Sequence, residues 1–119
     1  MAKTVKIYHN PRCSKSRETL SLLQSKGVEP EVVLYLETPA DAATIHQLLT
    51  MLGMSSARDL MRQKEDLYKS LNLNDERLTE EALIQAMVEN PKLMERPIVV
   101  ANDQARIGRP PEQVLEIID

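Results

Sequence analysis

The chain has 119 residues, 42% of them apolar and 28% charged, with a formal charge of -3 and a single cysteine. That length suits one domain whose core must be aliphatic and rich in methionine, because Phe and Trp are absent. One cysteine excludes an intramolecular disulfide and a multi-cysteine metal site, His9 and His46 give no zinc spacing, and a pI of about 5.4 argues against a broad nucleic-acid footprint.

Thr4 to Tyr8 sets Val5 and Ile7 alternately around Lys6, which predicts a strand that Asn10-Pro11 ends. Ser14 to Lys26, with Leu20, Leu22 and Leu23, reads as a short amphipathic helix that Gly27 stops in a left-handed conformation. After Pro30 the β-branched run from Glu31 to Leu36 predicts a buried strand. The opening third is therefore β-α-β, a unit that pairs its strands in parallel through a right-handed crossover.

Thr38-Pro39 predicts the next helix start, with a hydroxyl cap, Pro at the first position and a stripe of Ile45, Leu48, Leu49 and Leu52. Beyond Gly53, Ser56 and Asp59 suit a capping box on a short helix that Leu67 and Leu71 extend. Thr79 caps a third helical segment, carrying Leu83, Ile84, Met87 and Val88, which Asn90-Pro91 ends. Ile98 to Ala101 and Gln104 to Ile107 read as a hairpin turned by Asn102-Asp103, and Pro110-Pro111 starts a last helix with Val114, Leu115 and Ile118 on one face. The expected class is α/β: one domain over 1–119, a mixed sheet covered by helices, with a helical insertion at about 39–94. No run suits a signal peptide or a membrane span, so a soluble, cytoplasmic protein is expected, with no bound cofactor or metal and no membrane or nucleic-acid partner.

Cys13 falls in the loop between the first strand and the first helix, where open α/β sheets gather ligands. The free amides and dipole of a helix beginning at Ser14 favour thiolate over thiol, and Arg12, Lys15 and Arg17 add positive charge nearby. The other reading of a lone cysteine is a small buried hydrophobe.

The segment Tyr8-His9-Asn10-Pro11-Arg12-Cys13-Ser14-Lys15-Ser16-Arg17-Glu18-Thr19-Leu20 resembles the active-site segment of the glutaredoxin-dependent arsenate reductases. Tyr35-Leu36-Glu37-Thr38-Pro39, Arg58 to Arg62, Arg96-Pro97-Ile98-Val99-Val100 and Arg109-Pro110 resemble that family in the same order, so the likeness spans nearly the whole chain. It implies a thioredoxin-like fold with an inserted helical subdomain. It also implies Cys13 as nucleophile and Arg62, Arg96 and Arg109 as a clamp on arsenate or a similar oxyanion, for which planar guanidinium donors are suited. Glutathione as co-substrate and glutaredoxin as partner would complete the cycle, since the chain has no second thiol. Ser16 is placed by the resemblance to hydrogen-bond the thiolate through its hydroxyl, or it simply caps the helix. Arg17 is a further supporting residue or a surface ion pair, and His9 either helps set the Cys13 protonation state or is a structural imidazole. Pro97 is expected to be the cis proline before the third strand of such folds.

The sequence departs from the best-known members at Ser14-Lys15, where they commonly have Gly-Thr, and in ending soon after the last helix. Two other activities share the fold. One is a thiol oxidoreductase acting on another oxyanion or on a glutathione mixed disulfide. The other is a Spx-type regulator that binds RNA polymerase and senses redox state through Cys-x-x-Cys, although Ser16 here occupies the second cysteine position.

Overall fold

Apolar Val5 and Ile7 alternate with Lys6 because β1 (Val5–Tyr8) presents one face to a packed core and sits inside a sheet. The computed structural model describes residues 4–118. The described residues form two compact units, one made of residues 4–38 with 96–118 and the other of residues 39–95.

In the first unit, α1 (Ser14–Ser25) follows β1 and stops before Gly27, which has the left-handed φ of 79° that a residue without a side chain adopts freely. The chain returns as β2 (Glu31–Val33), parallel to β1, as a β-α-β unit requires. β3 (Ile98–Ala101) pairs antiparallel with β1, and β4 (Gln104–Ile107) pairs antiparallel with β3, giving the order β2-β1-β3-β4. Asn102 and Asp103 turn the hairpin with φ of 54° and 61°, the primed geometry that matches strand twist. The Asn102 side chain also donates to the Ile117 carbonyl at 2.9 Å and ties the turn to the chain's last segment. Val5, Ile7, Val99 and Ala101 from the sheet meet Leu23 of α1 and Val114, Ile117 and Ile118 in one core.

Three expectations for this unit change. The buried strand from Glu31 to Leu36 is a three-residue edge strand with Val32 43% exposed, because β2 has a neighbour on one side only. The last helix is a 3-10 helix, Pro111–Glu116. It still buries Val114, as its apolar face predicts, while Leu115 is only partly buried.

The second unit contains α2 (Ala42–Leu52), a 3-10 helix (Ala57–Leu60), α3 (Asp66–Ser70), α4 (Glu80–Glu89) and a 3-10 turn (Pro91–Leu93). Asp41, not Thr38-Pro39, caps α2: its carboxylate accepts the Thr44 amide at 2.8 Å, a stronger acceptor one turn later. Ser56 caps the first 3-10 helix through the Arg58 amide, as expected, but Asp59 does not complete a box. The distant Glu80 holds this helix start in another way, its carboxylate accepting the Ala57 amide at 2.6 Å and the Ser56 hydroxyl at 3.1 Å. Thr79 caps α4 through the Ala82 amide, and Leu83, Ile84 and Met87 are buried as the spacing requires. Of the other methionines that fall among aliphatic residues, Met61 and Met94 are buried and form an isolated β-bridge, while Met51 and Met54 are only partly buried.

Gly108 is a packing glycine. Its amide donates to the Pro97 carbonyl at 3.0 Å, and a β-carbon there would overlap the Thr19 hydroxyl and lie 2.9 Å from Pro97 Cγ. Gly108→Ala should therefore destabilise the fold by about 1–3 kcal/mol through overpacking, read as a lower urea midpoint. An unchanged midpoint would show that Thr19 and Pro97 can move apart freely.

Candidate functional site

β1 leads directly into the site, since the His9 amide continues its pairing to the Val33 carbonyl at 2.8 Å. Asn10 then organises the loop: its carbonyl accepts the Cys13 amide and its side-chain oxygen accepts the Arg12 amide, each at 3.0 Å. This turn leaves Cys13 as the N-cap of α1, with extended φ and ψ of -96° and 124°. A cap position faces the unpaired amides of the first helical turn, so whatever atom stands there feels their partial positive charge. Cys13 makes no side-chain cap bond, and the Ser16 and Lys15 amides of the first turn act on its sulfur.

Two arginines from the opposite end of the sequence complete the surroundings of the half-buried Cys13. Arg109 donates from Nη2 to Cys13 Sγ at 3.5 Å and from Nε to the Arg96 carbonyl at 2.8 Å, so one guanidinium links the nucleophile candidate to the loop before β3. Burial pushes the thiol upward, but the Ser16 amide, the Arg96 charge, the Lys15 amide and the Arg109 charge together outweigh it. The Cys13 pKa is lowered as a result, which is the direction a nucleophilic thiol needs. The charges that do this are not those nearest in sequence. Lys15 turns to Glu18 at 3.4 Å and Arg17 donates to the Pro11 carbonyl at 3.1 Å, which directs both side chains to other partners.

Ser16 is fully buried, and its hydroxyl is committed elsewhere than the sequence suggests. Oγ accepts the Asn10 amide at 3.0 Å and lies 2.7 Å from His9 Nδ1. The Asn10 amide donates to this oxygen, and a hydrogen bond also joins it to the His9 ring. Ser16 acts on Cys13 through its backbone amide. Burial, and then the Arg17 charge, push His9 below its ordinary value, which favours the neutral ring.

Pro97 follows a cis bond, as expected, and so does Pro110, which sequence reading missed. An Xaa-Pro pair carries no local mark of its isomer, so only the packed structure distinguishes the two. Arg62 lies in the second unit, where its Nη1 meets Glu65 at 3.3 Å and the Lys92 carbonyl at 3.4 Å. Glu65, which also meets Lys92 at 3.6 Å, is a neighbour that no motif indicated. Among the described residues no group of three or more His, Cys, Asp or Glu could share a metal ion, and no helix is long and apolar enough to cross a membrane.

A cysteine at the start of α1, a cis proline before β3 and a β-α-β unit joined to a β-β hairpin define a thioredoxin-like α/β protein. The ArsC family model matches residues 8–117, and the chain belongs to the ArsC family. It is 81% identical over 118 residues to the protein YfgD of Escherichia coli (strain K12), covering 99% of each chain. To the arsenate reductase of Haemophilus influenzae it is 50% identical over 115 residues, covering 97% of this chain and 99% of that one. Among solved structures, the arsenate reductase from Vibrio cholerae superimposes with a TM-score of 0.96 at 58% identity, covering 99% of this chain and 100% of that one.

Proposed function

We propose that the protein reduces arsenate, with Cys13 as nucleophile and Arg96 and Arg109 binding the oxyanion. The observation that carries this reading is the guanidinium of Arg109 at 3.5 Å from Cys13 Sγ, beside a thiol whose pKa is lowered. The same charges that favour the thiolate would hold a dianion next to it and stabilise charge shifted onto oxygen during attack. Arg62 is assigned as the third clamp residue on the family likeness alone. His9, Ser16, Arg17 and Pro97 support the Cys13 loop.

In the proposed cycle the Cys13 sulfur bonds to arsenic and water leaves. Glutathione sulfur then attacks Cys13 sulfur: an S–S bond forms, the S–As bond breaks, and its electron pair leaves with arsenic as arsenite. Arsenic gains two electrons and two thiols are oxidised to a mixed disulfide. Glutaredoxin takes the glutathionyl group and returns Cys13 as a thiol. This reading requires no resident cofactor and a reducing compartment, the cytoplasm, in which glutathione stays reduced.

The test is a coupled assay with glutathione and glutaredoxin, supplied with arsenate, other oxyanions or a glutathionylated peptide. Arsenite should form only with both thiol components present. Turnover of the peptide or of another oxyanion, with none of arsenate, would replace this reading by a different thiol oxidoreductase.

A further inference from the structure

A cycle with one cysteine must bring an outside sulfur to Cys13. Alongside α1 an open groove of about 810 Å³ extends from Ser14 to Ser25 and is walled by Pro110, Pro111 and Glu112. Its inner end adjoins the site, because Ser14 follows Cys13 and Pro110 follows the Arg109 that touches Sγ. The volume lies within the roughly 300–1,000 Å³ of small-molecule sites. Four of its side chains are charged, Lys15 and Arg17 of one sign, Glu18 and Glu112 of the other. The Lys15–Glu18 pair spans 3.4 Å with both side chains about half exposed, at 47% and 55%, so it is weak and readily exchanged.

We infer that this groove seats the tripeptide portion of glutathione while its sulfur bonds to Cys13. The inference rests on the glutathione step of the proposed cycle and assigns that step a place. Glutathione carries an ammonium and a carboxylate side by side on its γ-glutamyl head and a second carboxylate at its glycyl end. Lys15 takes one carboxylate, Arg17 takes the other through the guanidinium nitrogens not bonded to the Pro11 carbonyl, and Glu112 on the opposite wall takes the ammonium. A ligand with two anionic groups and one cationic group matches a groove that offers both signs within reach of one sulfur.

The test uses the whole chain and oxidised glutathione, without arsenate. Cys13 thiolate attacks one sulfur of that disulfide, a new S–S bond forms, and one glutathione leaves as its thiolate; mass spectrometry follows the rate. Bis(2-hydroxyethyl) disulfide, which undergoes the same exchange without charged groups, reports changes in the thiol itself. Lys15→Glu should slow reaction with oxidised glutathione about tenfold, equivalent to about 1.4 kcal/mol. It should slow the neutral disulfide far less. Glu112→Lys should also slow the glutathione reaction, although the added positive charge would by itself attract an anionic disulfide. Lys26→Glu, the same charge reversal outside the groove, should change neither rate. Acceleration by Glu112→Lys, equal effects on both disulfides, or no effect of Lys15→Glu would overturn the inference. Selective glutathionylation without arsenite formation in the coupled assay would instead overturn the reductase reading and leave the groove assignment standing.

Discussion

Cys13→Ser is expected to lower arsenite formation by at least about three orders of magnitude, because the step that creates the sulfur–arsenic bond has no substitute nucleophile in a one-cysteine chain. A serine hydroxyl at this cap keeps the helix start, so circular dichroism should show an unchanged fold. The pH dependence of stability supplies a second readout. Cys13 has a lowered folded-state pKa, so between that value and the unfolded value of about 8.5 the unfolded chain binds more protons than the folded one. Stability therefore rises with pH across that window and is lost as pH falls through the folded-state pKa. Urea titrations of the reduced protein should show this rise, and Cys13→Ser should lack it. Undiminished arsenite formation by the serine variant would remove Cys13 from the chemistry altogether.

Arg109→Ala should lower kcat/KM for arsenate by about 10²–10³, the usual cost of removing one donor from a site that stabilises developing oxyanion charge. Arg109→Lys should recover only part of this. A lysine is a single point charge, whereas the guanidinium holds the Arg96 carbonyl through Nε and the Cys13 sulfur through Nη2 at once. Loss of the charge also weakens the preference for thiolate, so the pH at which iodoacetamide alkylation of Cys13 reaches half its maximum should move upward. Arg96→Ala should move it in the same direction, because both guanidinium charges lower the Cys13 pKa. An alkylation profile and kcat/KM that both match the unaltered protein would exclude Arg109 from the site.

Much of the architecture was legible locally. Alternation marked β1, Asn102-Asp103 marked the hairpin turn, Thr79 marked the start of α4, and Gly27 and Gly53 marked helix ends, because each rests on the backbone preference of a few adjacent residues. Errors fell where two local signals competed or where a distant residue intervened. Asp41 displaced Thr38 because a carboxylate accepts an amide hydrogen bond more strongly, and Glu80 accepts the Ala57 amide where no box from Asp59 forms. The run from Glu31 to Leu36 looked buried because composition reports a strand's residues and not its neighbours. Its position at the sheet edge followed from the order of pairing.

The same division holds at the site. The sequence by itself determined the fold class, the placement of Cys13 at a helix start and the need for an external resolving thiol if Cys13 is catalytic. Each of these follows from adjacent residues or from a count. Tertiary structure decided which charges act on the sulfur: Arg96 and Arg109, residues the resemblance also implies, and not Arg12, Lys15 and Arg17 of the helix start. It also committed the Ser16 hydroxyl to His9 and Asn10, and set Pro110 as well as Pro97 in the cis form. The physical reason is range. Caps and turns act through bonds spanning a few residues, whereas Arg109 reaches Cys13 across 96 positions only because α1, β3 and β4 share one packed unit.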